Sequence, residues 1–127
     1  ITFDSNDTID GGEGFDSLLF DEETNFDLST LKNNQIKNIE QIDLTNDSSD
    51  NLNNVRIEDL LDMTDSDNTL YVKGESGDSI NLNDENSAEN NWVKTEDQVT
   101  FDGVIYNTWS NNDMILNIDE SIEVIDI

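Results

Sequence analysis

The sequence predicts an all-β chain: a parallel β-solenoid, β-roll-like in its repeat, with one short helix and a C-terminal antiparallel hairpin element. Three observations predict it. Apolar residues come in short bursts bounded by Asn, Asp, Ser or Gly. A cassette of Asp or Asn, then Ser or Thr, then Ile or Leu recurs at nine- or ten-residue spacing. It appears as Asp7-Thr8-Ile9 and Asp16-Ser17-Leu18, then as Asn68-Thr69-Leu70 and Asp78-Ser79-Ile80. A short strand plus a turn at that spacing is the unit of a parallel β-helix or β-roll. Finally, Asp102-Gly103 sits between two strand-like runs, and this dipeptide suits the type I′ turn of a hairpin.

From the N-terminus, Gly11, Gly12 and Gly14 form a cluster that holds half of the six glycines. SLLF (17–20), NFDL (25–28), IEQIDL (39–44), TLYVK (69–73) and SINLN (79–83) read as strands, short and flanked by turn formers. Ile39, Ile42 and Leu44 do not alternate strictly, so that strand rests on its length and flanks. NVRIEDLLDM predicts the helix: Val55, Ile57, Leu60, Leu61 and Met63 include the i, i+3, i+4 spacing of one apolar face, with Asn53 or Asn54 as N-cap. DLSTLKNN (27–34) predicts one more helical turn. Two strands flank Asp102-Gly103 within 98–110, and MILNID (114–119) and IEVIDI (122–127) close the chain. Leu18, Phe20, Ile39, Ile42, Leu44, Leu70, Val72, Ile80 and Leu82 are the predicted interior. A polar stretch near Asn83–Asn91 suggests a soft boundary, giving segments 1–20, 21–90 and 91–127. The chain begins with Ile1 rather than Met, so we expect a segment of a longer protein.

Charge dominates the composition. Thirty-one acidic residues face five basic ones, for a formal net charge of −26, while hydrophobic residues make up 33%. Globular chains average roughly 45–50% apolar residues. Self-repulsion of this size opposes a compact state, and low hydrophobicity compounds it. Bound cations are the expected remedy. Aspartates outnumber glutamates, twenty to eleven, and Asn is abundant. That balance favours turns over helices and suits loops that ligate hard cations through oxygen. Nucleic-acid binding and insertion into a membrane are not expected: five scattered cations make no basic patch, and no run approaches 18 apolar residues. The chain has no Cys and no His, which excludes disulfides, Cys/His zinc sites, haem ligation and thiol or Ser–His nucleophiles. It has no Pro, hence no Pro-rich linker.

GGEGFDSLL (11–19) fits the nonapeptide G-G-x-G-x-D-x-U-x at every defined position, through Gly11, Gly12, Gly14, Asp16 and Leu18. The preceding TFDSNDTID keeps Asp7 and Ile9, with Ser5 in place of a Gly. IKNIEQIDLTN (36–46), IEDLLDMTDSDNTLYVKGESGDSINL (57–82), VTFDGVIYNTW (99–109) and a closing β-pair follow. In this order they resemble the region after the last repeats of large bacterial repeats-in-toxin (RTX) adhesins. The resemblance implies export by the type I secretion machinery, a secreted or cell-surface location, and Ca2+ held between stacked loops by the Asp carboxylate and loop carbonyls. Asp7 and Asp16 would share ions with loops on adjacent turns. The implied role is non-enzymatic: a structural segment that folds on calcium outside the cell and adjoins or contains the secretion signal. A calcium-dependent adhesin module gripping a surface glycan or peptide is the alternative.

Plainer readings stand beside these. Gly11–Leu19 is a calcium loop or a Gly-rich turn that binds nothing. Gly77 and Asp78, with Gly74, mark either a calcium loop or a metal-free corner. Asp65 and Asp67 alternate as a calcium loop would, without the Gly and Glu an EF-hand needs. Trp92 and Trp109 stack on sugar or anchor a small core. Carboxylate pairs such as Asp97/Asp102 suit glycosidase chemistry, yet arise by chance among so many acids. IEVIDI is a secretion-signal strand or an edge strand. A halophile's solvated acidic surface would answer to monovalent salt instead.

Overall fold

A computed structural model describes residues 8–20, 25–28, 35–45, 49–53, 55, 60–61, 63–64, 68–82, 92–111 and 113–125. Its strands are β1 (Ile9–Asp10), β2 (Ser17–Leu19), β3 (Asn25–Asp27), β4 (Ile36–Lys37), β5 (Gln41–Asp43) and β6 (Asn51–Asn53), then β7 (Thr69–Lys73), β8 (Ser79–Asn81), β9 (Val93–Phe101), β10 (Val104–Asn111), β11 (Met114–Asp119) and β12 (Glu123–Ile125). The described residues are mostly β, with parallel strand pairs in every sheet.

Three sheets share these strands: β1-β4, the six-stranded β2-β5-β7-β11-β10-β9, and the four-stranded β12-β8-β6-β3. The chain alternates between the larger two. β2 is followed by β3, β5 by β6, β7 by β8 and β11 by β12, so both sheets take up their parallel strands in the same order. Each such pair is a tier stacked on the one before. The nine-residue spacing of Ile9 and Leu18 therefore separates consecutive strands in different sheets, β1 and β2. Segments 1–20, 21–90 and 91–127 all contribute strands to the six-stranded sheet.

Alternation decides which side chains turn inward. TLYVK buries Leu70 and Val72 and leaves Thr69, Tyr71 and Lys73 partly open, as a period of two requires. In-register pairing then stacks like on like. Leu18, Ile42, Val72 and Ile118 form one column and Phe26, Leu52, Ile80 and Val124 another. All nine residues predicted as interior are buried.

The hairpin forms as expected. β9 and β10 pair antiparallel around Asp102 (φ 52°) and Gly103 (φ 80°), and left-handed φ at both central residues is the type I′ signature. The two closing strands do not pair with each other: β11 joins β7 and β12 joins β8, both parallel. The described residues hold no complete helix. Of the predicted helix, Leu60, Leu61 and Met63 have helical backbone and Thr64 N–H donates to Leu60 O at 2.9 Å, while much of 53–63 lies outside the described residues. The 27–34 turn beyond Leu28 and the Asn83–Asn91 boundary also lie outside them.

Candidate functional site

The glycine loop between β1 and β2 is fixed by its own chain and by the next tier. Gly11 N–H donates to Lys37 O at 3.0 Å. A Cβ on Gly11 would run into the Asn38 carbonyl and the Asp16 side chain, so close approach is what requires glycine there. Gly12 (φ 79°) and Gly14 (φ 102°) turn through the left-handed region, open to residues without a Cβ. Asp10 Oδ1 accepts from Gly12 N–H (3.0 Å) and from Asn38 Nδ2 (2.7 Å). The Asn38 bond first, then the Gly12 bond, holds the Asp10 carboxyl below the usual aspartate range.

Asp16 ends this loop. Its N–H donates to Glu40 Oε2 at 2.8 Å, and its carbonyl accepts from Glu40 N–H and Gln41 N–H. Its Oδ2 is shut from solvent and accepts no hydrogen bond. A buried anionic oxygen without a donor is costly. A cation is one group that would satisfy it; the Glu40 carboxylate itself accepts from the Asp16 backbone N–H.

A second corner repeats the arrangement in the other sheet. Asp78 is 1% exposed. Its Oδ1 accepts from Asp50 N–H (2.9 Å) and its Oδ2 from Glu75 N–H (2.8 Å). The 24 residues from Asp16 to Glu40 and the 28 from Asp50 to Asp78 each span one tier, so in both cases a carboxylate latches the backbone of the tier before it. Burial pushes the Asp78 carboxyl above the usual aspartate range despite both N–H bonds. Asp119 does the same work at the end of β11, accepting from Ser121 N–H (2.9 Å) and Gly74 N–H (3.3 Å).

These positions qualify the expected metal ligands. Asp7, Asp65 and Asp67 lie outside the described residues. Gly11, Gly12, Gly14 and Asp16 come together in one loop. Gly77 and Asp78 form a different corner, where Asp78 N–H donates to Glu75 O at 3.0 Å and both carboxylate oxygens already have donors. Among the described residues no group of three or more carboxylates could hold a metal ion. Asp16 and Glu40 supply two carboxylates joined through the Asp16 N–H, and carboxylate oxygens are hard donors that suit calcium.

Both tryptophans belong to the core, Trp92 donating through Nε1 to Val55 O at 3.1 Å. The exposed rings are others. Phe15 packs, tilted, with its ring centre 5.1 Å from Phe101 and 6.0 Å from Tyr71, and Tyr71 lies 5.0 Å from Phe101 and 5.1 Å from the buried Tyr106. Sequence reading missed this cluster, because its members are far apart in the chain. Among the described residues no helix is long and apolar enough to cross a membrane. Comparison with protein families, curated proteins and solved structures finds no match.

Proposed function

We propose that this chain is a non-enzymatic, calcium-dependent structural segment of an exported RTX-type surface protein, a β-solenoid that closes a column of stacked tiers. On this reading it folds on calcium outside the cell and adjoins or contains the signal read by the type I secretion machinery. The observation that carries the calcium role is Asp16 Oδ2, buried and without a donor at the end of the glycine loop. The stacking role is supported by the edge strands at the ends of the sheets. Among the described residues β1, β2 and β3 each stand at the edge of their sheet, so one end offers three open edges to a preceding tier. At the other end the β9–β10 hairpin extends the six-stranded sheet past β11, while β12 stands at the edge of the four-stranded sheet.

Calcium sites on extracellular modules have dissociation constants of roughly 0.1–1 mM. At about 1 mM calcium each such site contributes roughly 0.4–1.4 kcal/mol to folding. Cytosolic calcium is too low to contribute, so the chain would stay loose until exported. Calorimetric titration of the chain and of Asp16→Asn tests the site. The reading predicts millimolar-range calcium binding that weakens by about tenfold or more when the carboxylate is neutralised. Equal binding by both proteins contradicts it.

The alternative, an adhesin module gripping a sugar or peptide, is favoured by one observation: Phe15 and Phe101 are exposed large apolar side chains in mutual contact.

A further inference from the structure

Tyr71 points out from the centre of the six-stranded sheet, away from the core, while its strand neighbours Leu70 and Val72 point in. Phe101 ends β9 at one margin of that sheet, and Phe15 precedes β2 at the other. Strands three places apart are separated by about 14 Å in a flat sheet. The rings of Phe101 and Tyr71 nevertheless lie 5.0 Å apart, and those of Phe101 and Phe15 5.1 Å apart. The hairpin thus folds over the outer face, and the two margins meet above Tyr71. Beneath them Tyr106 is only 1% exposed, although it also lies on the outer face. Phe15 and Phe101 remain 48% and 37% exposed.

We propose that the aromatic cluster of Phe15, Tyr71 and Phe101 is a docking site for a cationic peptide segment, with an arginine side chain laid on the exposed rings. Charge complementarity identifies the occupant. The chain carries −26. Asp102 is exposed beside Phe101, Glu13 is exposed in the loop that carries Phe15, and Asp43 lies on the outer face of β5. Lys73, in register with Asp43, is a cation on the same face. The negative faces of aromatic rings attract a cation, and a planar guanidinium stacks on them better than an ammonium does. The surrounding field concentrates cationic segments near the patch, whereas a neutral glycan gains nothing from it. This site does not depend on the calcium reading, because its members are held by ring contacts and strand pairing.

The test is calorimetric titration with an end-capped peptide of alternating arginine and leucine, at about 0.15 M salt to screen non-specific attraction. It is run in calcium-containing buffer on the unaltered chain and on Phe15→Leu/Phe101→Leu, which keeps apolar bulk and net charge. Val93→Ser, exposed on β9, is the control, and circular dichroism verifies the fold of each. Loss of the two rings should weaken binding roughly five- to thirtyfold, with the control within about twofold. Replacing arginine by lysine in the peptide should also weaken it. Equal binding by the double variant overturns the proposal, as does binding of a neutral oligosaccharide such as maltohexaose but not of the peptide.

Discussion

Asp78 holds two backbone N–H groups at once, one from its own turn and one from Asp50 in the preceding tier. Asp78→Ala strands both. The expected loss is about 2–3 kcal/mol, read by chemical denaturation, because a buried donor without an acceptor costs roughly 1–3 kcal/mol. The same residue gives the fold a pH dependence. Burial raises its carboxyl above the ordinary value, so the folded chain holds that proton more tightly than the unfolded one. Its contribution is fully present below the unfolded value and fades as pH rises through the folded one. Asp10 runs the other way: its lowered carboxyl contributes above the unfolded value and loses that as pH falls through its own. The melting temperature should therefore rise as pH falls from neutral toward the ordinary aspartate value and fall again in stronger acid, with Asp78→Asn showing a smaller rise. A melting temperature that is flat or falling over the first interval would remove this role from Asp78.

Single inward residues, stacked in register, are what each short strand contributes. Ile42 is fully buried in its column between Leu18 and Val72, so Ile42→Ala should cost about 2–5 kcal/mol. Leu19, on the neighbouring strand, faces solvent, and Leu19→Ala should stay within about 0.5 kcal/mol. Equal losses would mean that the columns are not the source of cohesion. This pattern also explains what could be read from the sequence. Leu18, Leu70 and Ile80 follow a turn-forming residue and a Ser or Thr, so the cassette marked their strands. β4 and β6 were missed because a strand such as Asn51-Leu52-Asn53 has one apolar residue and no period to repeat. The hairpin was legible because Asp102-Gly103 fixes its own turn. The latches were not, because Asp16 meets Glu40, and Asp50 meets Asp78, only through the stacking of tiers. A motif named Asp16 and Asp78 as important, but only a contact made across tiers gives Asp78 Oδ1 its donor, Asp50 N–H, and only the folded chain leaves Asp16 Oδ2 with none.

At the scale of the whole molecule, the problem is to hold 31 acidic residues on a thin apolar core with five basic ones. Backbone donors absorb part of the charge at the corners, through Glu40, Asp78 and Asp119. The rest needs solvent or cations. An acidic surface that is merely solvated would respond to monovalent salt, whereas a calcium-built stack would respond to millimolar calcium against a constant salt background. Far-UV circular dichroism and thermal melting of the chain in chelator, then with added calcium and, separately, magnesium, distinguish these most directly. A cooperative gain of β signal and a higher melting temperature with calcium, beyond any effect of magnesium, is the predicted result. The same spectrum and the same melting temperature in chelator and in calcium would contradict it.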